Sequence, residues 1–198
     1  MPPVLEGRSR VESDMPRARA RGIRWGPESA PHHRNLSPVQ GPRYRRCVTE
    51  LAPQEIRTFF VTTVTANRRR VFQTDANAQL MLSLLNDDRA KARYQLHAFV
   101  LMPDHLHLLL TPAPDVSIEK ALQFIKGGFS FRMKSRMPVW EKSFTLRRIE
   151  DRRDFAAHRD YIHANPVRAH LCEIPEEFPF SSAHGNFAVD PAPVHLQP

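Results

Sequence analysis

Residues 58–65 read Thr-Phe-Phe-Val-Thr-Thr-Val-Thr, β-branched and aromatic throughout, which predicts a strand. A basic loop, Asn67-Arg68-Arg69-Arg70, follows it. From Asp75 to Ala92, good helix formers surround Leu80, Leu82, Leu84 and Leu85, predicting a helix capped by an Asp or Thr. Tyr94 to Met102 and His105 to Thr111 are apolar runs separated only by Pro103-Asp104, so they predict adjacent antiparallel strands across a tight turn. Ser117 to Arg136 repeats Ile118, Leu122, Ile125 and Phe129 at helical spacing, with Gly127-Gly128 weakening its middle. Trp140 to Ile149 reads as irregular or a short strand. Asp151 to Asn165 reads as a last helix with Pro166 at its exit.

Strands and helices in this order predict an α+β fold, a ferredoxin-like antiparallel sheet with helices packed on it. Residues 1–42 have no apolar periodicity and are rich in Arg and Pro, so they are expected to be a disordered tail. One domain is expected over 43–186, and 187–198 read as a flexible C-terminal tail.

Charge changes the picture. The 198 residues carry a formal net charge of +8. The first 42 hold seven Arg against four acidic residues, which supplies +3 and leaves +5 on the remainder. The body is therefore basic in its own right, and a polyanion such as nucleic acid is the expected partner. Two cysteines far apart, with no Cys-x-x-Cys spacing, argue against a disulfide scaffold or a zinc knuckle. Neither a membrane-length apolar run nor a secretory leader is read, so a cytoplasmic, nucleoid-associated location without a membrane partner is expected.

The candidate chemistry sits on two elements. His105 and His107 are two apart on a predicted strand, so both imidazoles share one face. Burying both without partners is costly at roughly 1–3 kcal/mol each, and two neutral imidazoles side by side suit a divalent metal. Tyr161 and Asn165 are four apart on a predicted helix and share a face. Asn165 has two readings, an oxygen ligand and a helix C-cap before Pro166. Tyr161 is the candidate nucleophile, with packing into the core as its other reading; Arg159 or Arg168 is the candidate cation beside it. His158, three residues before Tyr161, reads as a proton relay or a solvated surface side chain. Arg68, Arg69, Arg70, Lys126 and Arg132 are the candidate phosphate contacts. Phe72, Phe129 and Phe131 are candidates for stacking on unpaired bases or for the core.

Over residues 43–186 the chain resembles the single-tyrosine HUH transposases, and within them the REP-associated tyrosine transposases. The resemblance rests on Phe59-Phe60-Val61-Thr62, on Ala98 through His107 with its Pro-Asp-His-Leu-His, on Lys126-Gly127 and Trp140, on Asp160-Tyr161-Ile162-His163-Ala164-Asn165-Pro166-Val167-Arg168-Ala169, and on Phe180-Ser181-Ser182. It implies the His pair on a central strand and the Tyr on a C-terminal helix. It also implies a metal, Mg²⁺ or Mn²⁺, on His105, His107 and Asn165, with Tyr161 attacking single-stranded DNA beside hairpins as a monomer or homodimer. A 5′-phosphotyrosine would form and a strand would be transferred. The alternative is a domesticated, non-catalytic hairpin-binding protein. A replication or mobilisation nickase ranks lower because the chain is short. A histidine-based nucleotide hydrolase is disfavoured because Leu109 stands where a further His is needed. Residues 141–146 lack a His that relatives often carry, and His170 stands where Gly is common.

Overall fold

The computed structural model describes residues 56–197. The stretch 1–42 expected to be disordered lies outside the described residues, as does the start of the expected domain. Four strands, β1 (Phe59–Val64), β2 (Tyr94–Met102), β3 (His105–Pro112) and β4 (Thr145–Arg148), form one antiparallel sheet in the order β2-β3-β1-β4. Helices α1 (Asp75–Ala90) and α2 (Ile118–Met133) lie between β1 and β2 and between β3 and β4. This is the ferredoxin-like arrangement the sequence predicts, with a third helix, α3 (Arg152–Arg168), added after β4.

Period-two alternation sorts the sheet into two cores. On one face Val61, Phe99, Leu101, Leu106, Leu108 and Leu110 pack with Met81, Leu84, Leu85, Leu122, Ile125 and Phe129 of α1 and α2. On the other, Phe60, Val100, Met102 and Leu109 pack with Phe155 and Ile162 of α3. Each large apolar side chain fully buried in these cores contributes about 1.5–3 kcal/mol. The sheet has a covering on both faces, which is why β2 and β3 read as nearly continuous apolar runs. His105 and His107 alternate with Leu106 and so fall on the α3 face.

The helices start where capping chemistry allows. Ser117 caps α2 by accepting from the Lys120 amide, and Asp151 caps α3 by accepting from the Asp154 amide. Gly127-Gly128 does not break α2. A Cβ at Gly128 would lie 2.9 Å from a Leu84 methyl, so the glycine lets α1 and α2 approach.

Two expectations about ends are corrected. Helix α3 does not stop at Asn165; it passes through Pro166 to Arg168, with Ala169 as its C-cap. Its end is closed by His170 N–H donating to the Val167 carbonyl and Leu171 N–H to the Pro166 carbonyl, with His170 left-handed at φ 55°. That is the two-bond Schellman closure. It puts Asn165 inside the helix, not at its cap. The segment from Phe187, read as a loose tail, packs round the edge of β2. Phe187 stacks edge-on against Phe99. Asp190 takes two bonds from Arg89 (2.7 and 2.8 Å) and one from the Leu96 amide (2.8 Å), and Leu196 is buried on the α3 face. Asp190 docks where β2 shifts register between Leu96 and Ala98, so its contacts follow an irregularity rather than a periodic pattern. Among the described residues, no helix is long and apolar enough to cross a membrane.

Candidate active site

His105 and His107 sit at the start of the central strand β3, beside the turn from β2, opposite Val64 and Thr62 of β1 and Met102 and Val100 of β2. Their rings are 4.8 Å apart between centroids and nearly perpendicular. Each ring has its Nδ1 engaged. His105 Nδ1 lies 2.6 Å from Asp104 Oδ1, and His107 Nδ1 lies 2.7 Å from the Thr62 hydroxyl. With Nδ1 committed, the free ring nitrogen of each is Nε2; an imidazole oriented through its other nitrogen is the usual state of a metal-ligating histidine.

Burial, reinforced by the neighbouring His105, pushes the His107 imidazole down to about 3. It is therefore neutral across the physiological range, with a lone pair to offer. Burial disfavours the ionised Asp104 carboxyl, but hydrogen bonds from His105 and Arg68 outweigh it and hold the group below the usual carboxylate range. Arg68 Nη1 is 3.3 Å from Asp104 Oδ2, so the first arginine of the basic loop reaches the His pair through this carboxylate.

Helix α3 brings the phenol to the same place. Ile162 is fully buried against the sheet and fixes the helix, which leaves Tyr161 at its flank. The Tyr161 ring stands edge-on to His107 at 5.6 Å and edge-on to Phe60 at 5.8 Å. Phe60 also stacks on His107 at 5.5 Å, so one aromatic ring packs against both candidate groups. The Arg168 guanidinium carbon lies 5.3 Å from the centre of the Tyr161 ring. Arg159, the other candidate cation, pairs instead with its neighbour Asp160.

Phe155 contacts His97 early in β2, while Tyr161 contacts His107, whose β2 partner is Val100. The helix and β2 thus advance in the same direction. One helical turn from Tyr161 to Asn165 is about 6 Å. Two strand residues from His107 to His105 are about 7 Å. Asn165 thus lies one turn beyond Tyr161, in the direction in which β2 runs from Val100 to Met102. Among the described residues, no group of three or more His, Cys, Asp or Glu side chains is arranged to hold a metal.

The predicted basic contacts are less uniform. Arg70 is exposed. Arg69 turns inward to the Ala66 and Pro138 carbonyls, and Arg132 pairs with Asp87 of α1 at 2.7 Å. Lys126 donates to the Glu141 carbonyl at 2.8 Å, and burial lowers its ammonium below the usual lysine range. Phe72 and Phe129 are core residues, whereas Phe131 is 84% exposed. His158 is not a solvated surface group; its Nδ1 bonds the Asp154 carbonyl at 2.8 Å and its ring packs 4.8 Å from Phe60.

Thr62, Phe60 and Asp104 stand in the motifs read from the sequence, but no role in the site was assigned to them there. Thr62 had a legible signal, a hydroxyl on the same strand face as Phe60. What was missing was the β1–β3 register that sets it across from His107. His163 is a further link, bonding Ser182 at 3.0 Å, while Ser182 bonds both the amide and the carbonyl of Phe99. This explains why the Phe180-Ser181-Ser182 block belongs with the helix: it ties α3 to β2.

Comparison with known proteins bears on this arrangement. A family model described as "Transposase IS200 like" matches residues 57–165, from the start of β1 to Asn165. A REP-associated tyrosine transposase of Escherichia coli K12 is 27% identical over 132 residues, covering 66% of this chain and 79% of that protein. A Haemophilus influenzae protein named to the same class is 26% identical over 147 residues, covering 64% of this chain and 79% of its own. A solved structure of a REP-associated tyrosine transposase bound to a REP hairpin superposes with a TM-score of 0.58 at 25% identity, covering 72% of this chain and 88% of that one.

Proposed function

The chain belongs to the IS200-like transposase family, and from that premise we propose that it is a metal-dependent endonuclease and strand transferase acting on single-stranded DNA at hairpins, with Tyr161 as nucleophile. The single observation that carries this reading is the convergence of the His107 and Tyr161 rings from elements more than fifty residues apart. The hairpin substrate comes from the relatives, one of which is held in a solved structure on a REP hairpin.

The donor set fits a divalent cation. Two imidazoles, each held through Nδ1, offer Nε2, and the Asn165 amide oxygen, one helical turn beyond Tyr161, is the third ligand in this reading. Oxygen in that set, with no thiolate, suits Mg²⁺ or Mn²⁺. When bound, the cation would polarise a non-bridging oxygen of the scissile phosphate.

The chain's own groups do the rest. Tyr161 Oη attacks phosphorus, forming an Oη–P bond as the P–O3′ bond breaks. The phenol proton is given up to solvent and the departing 3′-oxygen is protonated, leaving a 5′-phosphotyrosine and a free 3′-hydroxyl. A second 3′-hydroxyl reverses the step at a new junction, so no external energy source is required. The buried floor of Phe60, His107 and Ile162 keeps the ring from swinging into the core. Arg68, linked to the His pair through Asp104, and the exposed Arg70 of the same loop face the phosphate backbone in this reading.

The test is incubation with a single-stranded oligonucleotide carrying a REP-type hairpin, in Mn²⁺ or Mg²⁺. A covalent protein–DNA band is expected. Hairpin binding without any such band would favour the non-catalytic binding protein instead.

A further inference from the structure

We propose that Arg168 is a positioning residue for Tyr161, its guanidinium plane serving as the third wall that fixes the nucleophile's ring. The inference rests on Tyr161 being the nucleophile and goes beyond it by naming what orients that residue.

The continuation of α3 past Pro166 makes the contact possible. Residues seven apart on a helix are two turns apart and nearly on the same face. Had the helix ended at Asn165, Arg168 would have left that face. Instead the Schellman closure at His170 keeps Arg168 in the last turn. Helical side chains lean toward the N-terminus, so a long Arg side chain folds back over the turns before it. The guanidinium carbon ends 5.3 Å from the ring centre, within the roughly 6 Å reach of a cation–π contact.

The ring has few other restraints. Phe60 and His107 meet it edge-on, and among the described residues no hydrogen bond ties its hydroxyl. Its orientation is therefore set by ring contacts, and Arg168 supplies the only charged one among the described residues. Arg168 is exposed and pairs with no described carboxylate, whereas Arg159 is neutralised by Asp160. Nothing in the fold's interior depends on it, so its removal should leave folding intact.

The experiment measures single-turnover covalent adduct formation on the same hairpin oligonucleotide in Mn²⁺, with DNA affinity measured in parallel. Arg168→Ala is expected to slow adduct formation at saturating DNA by about 2- to 30-fold, with the DNA dissociation constant unchanged. Added guanidinium chloride at millimolar concentration should restore part of the rate, and Arg168→Lys should fall between Ala and wild type. Weakened DNA affinity with an unchanged rate at saturation would overturn the inference, since Arg168 would then be a phosphate contact only. An unslowed Ala variant would do the same, as would a slowed one that neither guanidinium nor Lys improves. Absence of adduct from the wild-type chain would overturn the nucleophile assignment and this inference together, which distinguishes that failure from the others.

Discussion

Thr62 and His107 face each other across the β1–β3 ladder, and the Thr62 hydroxyl lies 2.7 Å from His107 Nδ1. The bond has two consequences. It satisfies a ring nitrogen that is buried in the sheet, and it directs the other nitrogen, Nε2, toward the space shared with His105. A strand residue with no reacting atom of its own thereby decides which way the buried imidazole presents its lone pair.

Thr62→Val keeps the shape and removes the bond. Outer-shell partners of this kind are commonly worth 10- to 100-fold in metal affinity, so Mn²⁺ titration by calorimetry should show a loss of about that size. Thr62→Ser should retain most of the affinity. Equal affinity in Val and wild type would mean that the hydroxyl does not orient His107.

His170 occupies the left-handed position that closes α3, at φ 55°. A non-glycine residue there is strained by roughly 1–2 kcal/mol. His170→Gly should raise unfolding free energy by about 1 kcal/mol in urea titrations, after allowance for the extra freedom glycine gives the unfolded chain. A destabilised Gly variant would show that the His170 side chain makes a compensating contact.

Acid should destabilise the metal-free protein early. Burial lowers His97, opposed by its bond to the Asp190 carbonyl, and burial lowers His107 to about 3. In the unfolded chain both histidines take up protons near 6.5 while the folded protein resists. Folding free energy is thus held above pH 6.5 and falls as pH drops below it, by about 1.4 kcal/mol per pH unit for His107, with His97 acting in the same direction. Asp104 and Asp190 titrate lower and act only below the carboxylate range. Urea midpoints measured at pH 7.5, 6.5 and 5.5 should be level between the first two and clearly lower at the third. A flat series would contradict the burial of these rings as neutral groups.

Much of this molecule is legible from its residues because its sheet obeys simple periodicity. Tyr94–Met102 is a strand from end to end as read, and the two-residue spacing of His105 and His107 is enough to put both on one face. The helix end was misread because proline inside a last turn forfeits only one amide bond, so Pro166 is tolerated there and marks no stop. Of the apolar positions that mark α1 in the sequence, Leu84 and Leu85 are buried while Leu80 and Leu82 are only partly so, and Ala78 and Met81 are fully buried beside them. The basic candidates divided on tertiary pairing: Arg132 depends on Asp87 of another helix, and nothing local to residue 132 announces that. The strap from Phe187 was hidden for the same reason, since Asp190 finds its partners at Arg89 and at a bulge in β2.

The central claim is that the phenol on α3 and the imidazole pair on β3 form one reacting centre. The most direct measurement compares wild type with Tyr161→Phe on the single-stranded hairpin oligonucleotide in Mn²⁺, scoring covalent adduct on a denaturing gel and hairpin affinity by shift assay. Wild type should give the adduct, and the Phe variant should give none while binding the hairpin as tightly. An adduct that persists in the Phe variant would place the nucleophile elsewhere and contradict the account.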